Sequence, residues 1–191
     1  MPRYREFELD EALANIKSVF WEQGYEGASM ALIEKATQLK KQSLYRAFGD
    51  KREMYLAALR DYDRKEVAAA IKLLKVPGTP QQQVDGLLTA IIDSAISSGD
   101  RRGCLLCNSA VDQAPLNERS AELIDKIMQR FEQAIEDCLA QAMPFKTDEK
   151  HRKSTACALL SGYFGVRVMI KANMPRSMLD AARERMVSGL L

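Results

Sequence analysis

The 191-residue sequence has little of the material from which metal centres and catalytic centres are usually built. It contains a single histidine, His151, which stands among charged residues, and four cysteines. Cys104 and Cys107 have the spacing of metal ligands, but no second cysteine or histidine pair follows at the interval of a zinc site. No nucleophile elbow, phosphate-cradling glycine loop or readable pair of catalytic carboxylates is present. We therefore predict no metal site, no cofactor and no enzymatic activity.

Long hydrophobic runs are also missing. No apolar stretch approaches the roughly 20 residues that a helix needs to span a bilayer. The N-terminal segment lacks the apolar region of a secretory signal. These absences predict a cytoplasmic protein that does not associate with membranes and whose cysteines are mostly reduced thiols. A content of 47% hydrophobic and 28% charged residues is that of a globular chain.

The sequence shows no sustained two-residue alternation of β-branched residues, which is the pattern of strands. Apolar residues instead recur every three to four positions, which is the spacing of amphipathic helices. The Pro-Gly-Thr-Pro segment at 77–80 separates short predicted helices from longer ones. We therefore predict an all-α protein with an N-terminal three-helix domain over residues 1–50, a linking helix over 51–76 and a larger helical bundle over 77–191.

Positive charge is concentrated on one segment of an almost neutral chain. From Lys35 to Arg52 there are six basic residues and one acid, a local charge of +5, which leaves −3 for the remainder because the total is +2. Attraction to phosphate depends on local positive charge rather than on the total. The segment fits a DNA-binding surface, although a solvated helix face would show the same charge.

Two short predicted helices between Ser29 and Phe48 have the length of a helix-turn-helix. In that motif the second helix enters the major groove, and its N-terminal residues contact base edges. The side chains presented there are Lys40, Lys41, Gln42 and Ser43, followed by Tyr45 and Arg46. Leu44 and Phe48 are expected to point the opposite way, into a small core.

A resemblance to the DNA-binding region of the TetR family of bacterial transcriptional regulators is carried by residues 20–59, FWEQGYEGASMALIEKATQLKKQSLYRAFGDKREMYLAAL. The matching positions are Phe20, Gly24-Tyr25, Ser29, Leu44-Tyr45, Phe48 and Lys51. Two positions depart from the family pattern. Gln38 stands where the family usually has a turn glycine, at an expected cost of about 1 kcal/mol. Lys40 stands where the family usually has a hydroxyl residue as the N-cap.

The resemblance implies DNA-contact roles for individual residues. The base-facing candidates are Lys41, Gln42 and Ser43. Tyr45 and Lys51 would hold phosphates, and Ser29 would contact the DNA backbone from the preceding helix. The chemistry agrees, because glutamine pairs with adenine, lysine reaches guanine, and tyrosine and lysine donate to phosphates. The alternatives are that Tyr45 packs beside Phe48 and that Ser29 is only a helix cap.

The resemblance also implies that residues 77–191 form an effector-binding and dimerisation domain. An apolar pocket is expected from the segments 87–96, 105–111, 124–131 and 159–164. The helix over 156–170 carries one charge and is apolar almost all round, so it has to be covered on several sides. We interpret it as part of a homodimer interface shared with the C-terminal helix; the alternative is the central helix of a monomeric bundle. The predicted interface residues are Leu160, Phe164, Arg167, Val168 and Met186.

The segment RRGCLLCNSAVD, residues 101–112, suggests a second kind of effector response. Gly-Cys-Leu followed by a small polar segment occurs in a branch of the family in which some members respond to electrophiles or oxidants. Basic neighbours and a helix N-terminus would raise the reactivity of Cys104, and Cys107 lies one helical turn away, within reach of a disulfide. The alternative is that both cysteines are small buried hydrophobic residues.

These inferences combine into one hypothesis. The chain is predicted to be a homodimeric transcriptional repressor that binds a palindromic double-stranded DNA operator. A small-molecule or electrophile effector, of unknown identity, would bind the C-terminal helical domain and release the operator. The alternative is a helical protein–protein adaptor without sequence-specific DNA binding, which leaves the basic helix-turn-helix unexplained.

Overall fold

The computed structural model describes the backbone of residues 2–190 and the side chains of residues 9–190. Regular structure in this part of the chain is helical throughout, which confirms the predicted all-α class. The elements are α1 (Pro2–Gly27), α2 (Met30–Thr37), α3 (Lys41–Phe48), α4 (Lys51–Tyr62), a π-helical segment (Asp63–Val67), α5 (Ala68–Leu73), α6 (Pro80–Ser98), α7 (Leu105–Asp112), α8 (Glu118–Leu139), α9 (Glu149–Lys171) and α10 (Arg176–Ser188). Across residues 2–190, no helix combines the length and the apolar character needed to cross a membrane.

Polar residues set the starts of many helices. The first backbone N–H groups of a helix have no partner within it, so a polar side chain just before the helix stabilises its start. The residues that accept a hydrogen bond from the backbone N–H three positions later are Ser29, Asp50, Thr79, Asn117 and Asp148. The predicted single helix over 51–76 is instead α4, the π-helical segment and α5. A π turn adds one residue to the helical repeat, and the apolar spacing does not reveal it.

Two hydrophobic clusters organise the packing. The smaller cluster lies within α1–α4 and includes Ile16, Phe20 and Leu44, none of which is more than 1% exposed. The larger cluster extends from α4 to α10. Helix α4 contributes to both, since Tyr55 belongs to the smaller cluster and Tyr62 to the larger one. We call residues 9–62 the head and residues 68–190 the body.

The turn between α2 and α3 accommodates both departures from the family pattern. Gln38 adopts the left-handed conformation, with φ of 58° and ψ of 16°, and its Nε2 donates to Lys35 O at 2.6 Å. Lys40 occupies the N-cap position of α3 and makes no side-chain cap. Glu34 replaces the missing hydroxyl, because its Oε1 accepts from the backbone N–H of Lys41 at 2.6 Å.

We expect Gln38→Gly to raise the free energy of unfolding by up to about 1 kcal/mol, because glycine adopts a positive φ without steric cost. The loss of the exposed hydrogen bond to Lys35 O offsets part of this gain. Gln38→Ala keeps the strained Cβ and also loses that bond, so it should lower the stability. Urea unfolding followed by circular dichroism measures both variants. A glycine variant that is no more stable than the alanine variant would contradict the assignment of backbone strain to Gln38.

Candidate functional site

Helix α3 has one buried side and one exposed side. Leu44 has no exposed surface and anchors the helix in the smaller cluster. The exposed side chains are those predicted to meet DNA, namely Lys40, Lys41, Gln42, Ser43, Tyr45 and Arg46. Among the described side chains, none of the ion pairs engages the cations of this set. The surface therefore presents free positive charge and hydrogen-bonding groups to solvent.

The three remaining candidate residues have different surroundings. Tyr45 is 41% exposed, and Lys41 Nζ lies 5.4 Å from its ring centroid, so its ring faces solvent beside the lysine. Ser29 Oγ accepts from a backbone N–H at 3.2 Å, so this exposed residue does act as a helix cap. Lys51 is half-buried, with its Nζ 4.6 Å from the ring centroid of Tyr25. The ring of Tyr25 thus limits the directions in which the Lys51 ammonium can point.

Polar contacts tie the head to α7 and α8 of the body. Tyr55 Oη donates to Ser109 Oγ at 2.5 Å in a buried position. Arg52 Nη1 donates to Gln113 Oε1 at 2.6 Å and to Ser120 Oγ at 3.2 Å. Because Arg52 and Tyr55 both belong to α4, this helix makes these contacts of the head with α7 and α8, while α1 contacts the body through Ser18, which accepts from Arg102 Nη1 at 3.0 Å.

A buried ionic cluster holds α1 against the end of α4 and the π-helical segment. Lys17, 7% exposed, lies 3.0 Å from Asp61 Oδ2 and 2.8 Å from Glu66 Oε1. Asp61 is 2% exposed and also pairs with Lys65 at 3.1 Å. Burial raises the pKa of Asp61, but the hydrogen bonds from Lys17 and Lys65 outweigh it and hold the pKa below its usual value. Sequence analysis did not single out Lys17, although a lysine beside the buried Ile16 is the kind of signal that identifies such a cluster.

A cavity of about 280 Å³ lies between α1 and the body. Its lining residues are Trp21, Tyr62, Glu66, Ala69, Ala70, Leu73, Ala90, Ile91, Ser94, Ala95, Ser98, Asp100, Gly103, Tyr163 and Arg167. Residues from the predicted segments 87–96 and 159–164 line it, whereas none from 105–111 or 124–131 does. Trp21 and Glu66 were not predicted, because periodicity cannot show that α1 and the π-helical segment close the cavity.

Three polar groups of this cavity wall are incompletely paired. Trp21 Nε1, Glu66 Oε2 and Arg167 Nε are buried and have no hydrogen-bond partner. Native proteins rarely leave buried polar groups unpaired, so each such group requires an explanation. All three residues line the same cavity.

Tyr62 connects this cavity to the cysteine segment. Its Oη accepts from Arg167 Nη2 at 3.0 Å and donates to Cys104 Sγ at 3.3 Å. The burial of this ring raises the pKa of Tyr62, so its hydroxyl stays protonated. Arg167, which was predicted for a dimer interface, has its guanidinium on the inner side of α9, where it contacts Tyr62 and lines the cavity.

The two candidate cysteines occupy the first turn of α7. Cys104 is 3% exposed and forms the N-cap, with its Sγ accepting from the backbone N–H of Cys107 at 3.5 Å. Cys107 is half-buried, and this burial raises the pKa of its thiol. Both are free thiols. Among the described side chains, no group of three or more His, Cys, Asp and Glu residues is placed to hold a metal ion.

The other residues predicted for a dimer interface differ in their exposure within the chain. Leu160 is buried, and Phe164 packs against the larger cluster. Met186 packs against Gly162 of the same chain, so closely that a Cβ added at Gly162 would lie 2.6 Å from Met186 Cε. Val168 is 55% exposed and is the member of the predicted set that faces solvent strongly.

Small and apolar residues form an exposed stripe on α9, which we call the outer stripe. Its members recur every three to four positions and are Ala158, Ser161, Gly165 and Val168. A Cβ added at Gly165 would meet no atom within 4 Å, so this part of α9 is open to the approach of another helix. Sequence analysis missed the stripe because a helix that is apolar all round does not indicate which side its own chain covers.

The structure defines a class of protein. An exposed cationic helix in the second position of a helix-turn-helix is the device by which such domains read a DNA major groove. Here it is joined to a helical body with a partly polar cavity. The class is a DNA-binding transcriptional regulator, and comparison with known proteins identifies the family.

A family model for bacterial regulatory proteins of the tetR family matches residues 12–58. The uncharacterised HTH-type transcriptional regulator YezE of Bacillus subtilis is 28% identical over 142 residues, which are 74% of this chain and 73% of YezE. The HTH-type transcriptional repressor ComR of Escherichia coli is 28% identical over 114 residues, which are 59% of this chain and 54% of ComR.

A solved structure of the TetR family transcriptional regulator CifR, a cysteine mutant complexed with 26-bp double-strand operator DNA, superposes with a TM-score of 0.83. The two proteins are 26% identical, and the match covers 94% of this chain and 95% of the CifR chain. The head of the chain thus matches the TetR family model over residues 12–58, and the chain as a whole is similar to transcriptional regulators of that family. Members of this family are DNA-binding transcription factors and not enzymes, which confirms the prediction that the chain has no enzymatic activity.

We expect Asp61→Asn to lower the free energy of unfolding by about 3 kcal/mol, because it leaves Lys17 buried with Glu66 as its remaining partner. Asp125→Asn, at an exposed position on α8, is the matched control and should change stability by less than about 0.5 kcal/mol. Chemical denaturation of both variants at neutral pH measures these differences.

The same pair predicts a pH dependence. The folded-state pKa of Asp61 is lowered, so its contribution to stability is present above its unfolded-state pKa, about 3.9, and is lost as the pH falls through the folded-state value. The stability difference between the wild type and Asp61→Asn should therefore shrink in acid. A difference that is constant down to pH 3 would contradict the assignment of an ionised Asp61.

Proposed function

We propose that this regulator is a homodimeric repressor that binds a palindromic double-stranded DNA operator and leaves it when an effector occupies the cavity of the body. The observation that carries the proposal is the cavity wall, which Trp21 of the head shares with α6 and α9 of the body. An occupant that touches both parts has different affinities for different arrangements of head and body, which is the condition for release by a ligand. The naming of ComR as a repressor supports the sign of regulation.

The proposed DNA contacts come from α3 and its flanks. Lys41, Gln42 and Ser43 read base edges from the N-terminal part of α3, while Tyr45 and Lys51 hold phosphates. Lys40 and Arg46 add positive charge on either side, and Ser29 contacts the DNA backbone from the start of α2. The exposure of the α3 side chains supports these roles, since none has to be uncovered before DNA binds.

A dimer follows from the geometry of the operator. Successive major grooves on one face of B-DNA are about 34 Å apart, so two copies related by a twofold axis read the two halves of a palindrome. The outer stripe of α9 supports such an interface, because its small residues let a second helix approach closely. On this proposal, the covering of the stripe by the partner explains why α9 is apolar on its outer side.

Release requires a path from the cavity to α3. Trp21 packs edge-on against Tyr62 at 4.9 Å between ring centroids, and both residues line the cavity. Tyr62 belongs to α4, which also carries Tyr55 and its buried bond to Ser109. A ligand that displaces Trp21 or Tyr62 therefore acts on α1 and α4; α4 contacts α3 directly, and α1 packs on both helices that contact α3.

Covalent capture by Cys104 is a second candidate trigger. Its sulfur accepts hydrogen bonds from the Cys107 N–H and from Tyr62 Oη, so it contacts both α7 and α4. Cys104 is 3% exposed and does not line the cavity, whereas its hydrogen-bond partner Tyr62 does, so we expect an electrophile to reach Cys104 only when Tyr62 moves. Modification would break the contact between Tyr62 and Cys104 and thus affect the same helix, α4.

The DNA roles predict different outcomes for two variants. Lys51→Ala should weaken binding to every DNA sequence and lower the slope of log K against log salt by about 1, because one phosphate contact is lost. Gln42→Ala should relax sequence preference and leave that slope unchanged. Fluorescence anisotropy at several salt concentrations, with a fragment selected from a random DNA library, measures both effects.

Lys72→Ala is the matched control for these titrations, since Lys72 is an exposed lysine of α5, away from α3. It should change neither the affinity nor the salt dependence. A wild-type salt slope in Lys51→Ala would argue against the phosphate role. A failure of the selection to yield any bound sequence would overturn the proposed operator.

The cysteine trigger is tested with a quinone and with mild peroxide. If it operates, mass spectrometry finds the modification on Cys104, and wild-type protein loses operator binding while Cys104→Ser retains it. Cys157→Ser removes the exposed thiol of α9 and is the control, which should respond as the wild type does. Loss of binding in Cys104→Ser to the same extent as in the wild type would rule out the covalent trigger.

A further inference from the structure

We propose that the effector is a small organic carboxylate with an apolar body, whose anionic group pairs with Arg167 and whose hydrogen-bond donor binds Glu66. The inference rests on the proposed function in one respect, since it treats the cavity between α1 and the body as the effector site. It goes further by assigning the charge, the size and the polar groups of the ligand.

The charge of the cavity wall is unbalanced. Its charged residues are Glu66, Asp100 and Arg167. Glu66 is neutralised by Lys17 at 2.8 Å, and Asp100 is held by Arg102 at 2.7 Å. Among the described side chains, no carboxylate forms an ion pair with Arg167, whose contact is the neutral hydroxyl of Tyr62. The wall therefore carries one positive charge without a counter-ion. On our proposal, the anionic group of the ligand is that counter-ion.

The unpaired hydrogen-bonding groups indicate the polar atoms of the ligand. Arg167 Nε and Trp21 Nε1 are buried donors without acceptors. A carboxylate has two oxygens that accept such bonds, and a guanidinium matches its planar geometry. Glu66 Oε2 is a buried acceptor without a donor, because Lys17 pairs with the other oxygen. The ligand thus has a donor, such as a hydroxyl group, in addition to its carboxylate.

The rest of the wall sets the size and polarity of the ligand body. Leu73, Ile91 and Ala95 present alkyl surface, and Tyr163 presents an aromatic ring. A cavity of about 280 Å³ lies at the small end of the range of ligand pockets. It therefore suits a single aromatic ring or a short chain better than a multi-ring compound. Hydroxylated aromatic acids and short hydroxylated alkyl acids meet all three conditions.

The test compares three carboxylates with their neutral primary amides, which have nearly the same shape. The probes are benzoate, 4-hydroxybenzoate and hexanoate, each paired with its amide, and calorimetry on DNA-free protein measures binding. We expect carboxylates to bind about tenfold or more tightly than the amides, and 4-hydroxybenzoate more tightly than benzoate. The proposal is overturned if no carboxylate binds, or if each amide binds as well as its acid.

Variants locate the preference within the cavity. Arg167→Gln should abolish the discrimination between acid and amide, whereas Arg167→Lys keeps the charge and should retain part of it. Arg60→Gln, at an exposed position on α4, is the control for the loss of a guanidinium and should bind as the wild type does. A full acid preference in Arg167→Gln protein with wild-type circular dichroism would show that the anion binds elsewhere. If Arg167→Gln does not fold, the comparison of acids and amides on the wild-type protein still tests whether the protein prefers a carboxylate.

The failure of this inference is distinguishable from failure of the proposed function. Operator binding by ligand-free protein tests the function, and carboxylate binding by DNA-free protein tests the inference. DNA binding without acid preference overturns the ligand class alone. Acid preference without DNA binding overturns the repressor proposal and leaves the anion site standing.

Discussion

The buried contact of Lys17 with Asp61 and Glu66 is the interaction on which the arrangement of the head depends. A buried ion pair adds little net stability, because desolvation of the charges offsets their attraction. A misplaced partner, however, leaves an unpaired buried charge, which strongly destabilises the fold. The cluster therefore fixes the position of α1 on α4 more than it strengthens the fold. Helix α3, which presents the DNA-facing residues, packs against α2 and α4, which both pack on α1, and Leu44 anchors it in the smaller cluster. Its orientation relative to the body is consequently set by three charges that lie outside it.

Glu66 gives this cluster a second role. One of its carboxylate oxygens pairs with Lys17, while the other is an unpaired acceptor in the wall of the cavity. It stands in a π-helical segment, a local irregularity that often occurs at functional sites. On our proposal, a hydrogen-bond donor of the ligand binds the carboxylate of Glu66, which also pairs with Lys17 of α1. The ligand also contacts Trp21, which belongs to α1 as well. Effector occupancy and head position are then coupled through one side chain, without any need for a long pathway.

Sequence analysis succeeded where local rules decide the structure and failed where distant residues meet. Apolar spacing and capping residues gave the helices, and the exposed face of α3 follows from Leu44 as its anchor. The cavity depends on contacts such as Arg167 with Tyr62, 105 positions apart, and Lys17 with Glu66, 49 positions apart. For α9, apolar on nearly all sides, periodicity could not distinguish the face toward Tyr62 from the outer stripe. The single charge of the segment 156–170, Arg167, was visible in the sequence, but its direction was not.

The positions of backbone strain and of unpaired buried polar groups coincide with the proposed functional surfaces. Of the two described non-glycine residues with a positive φ, Asn173 is of a type that tolerates this conformation, whereas Gln38 is not. Gln38 forms the turn that sets α3. Among the described residues, three of the four buried side-chain atoms without a hydrogen-bond partner, on Trp21, Glu66 and Arg167, lie in one cavity wall; the fourth, Asp61 Oδ2, is 3.0 Å from Lys17 Nζ. A sequence that is otherwise consistent with its fold tolerates such costs where a bound ligand or DNA offsets them. Backbone strain at Gln38 therefore marks the α3 surface, and incomplete hydrogen bonding marks the cavity wall. Charge and exposure indicate the same two surfaces independently.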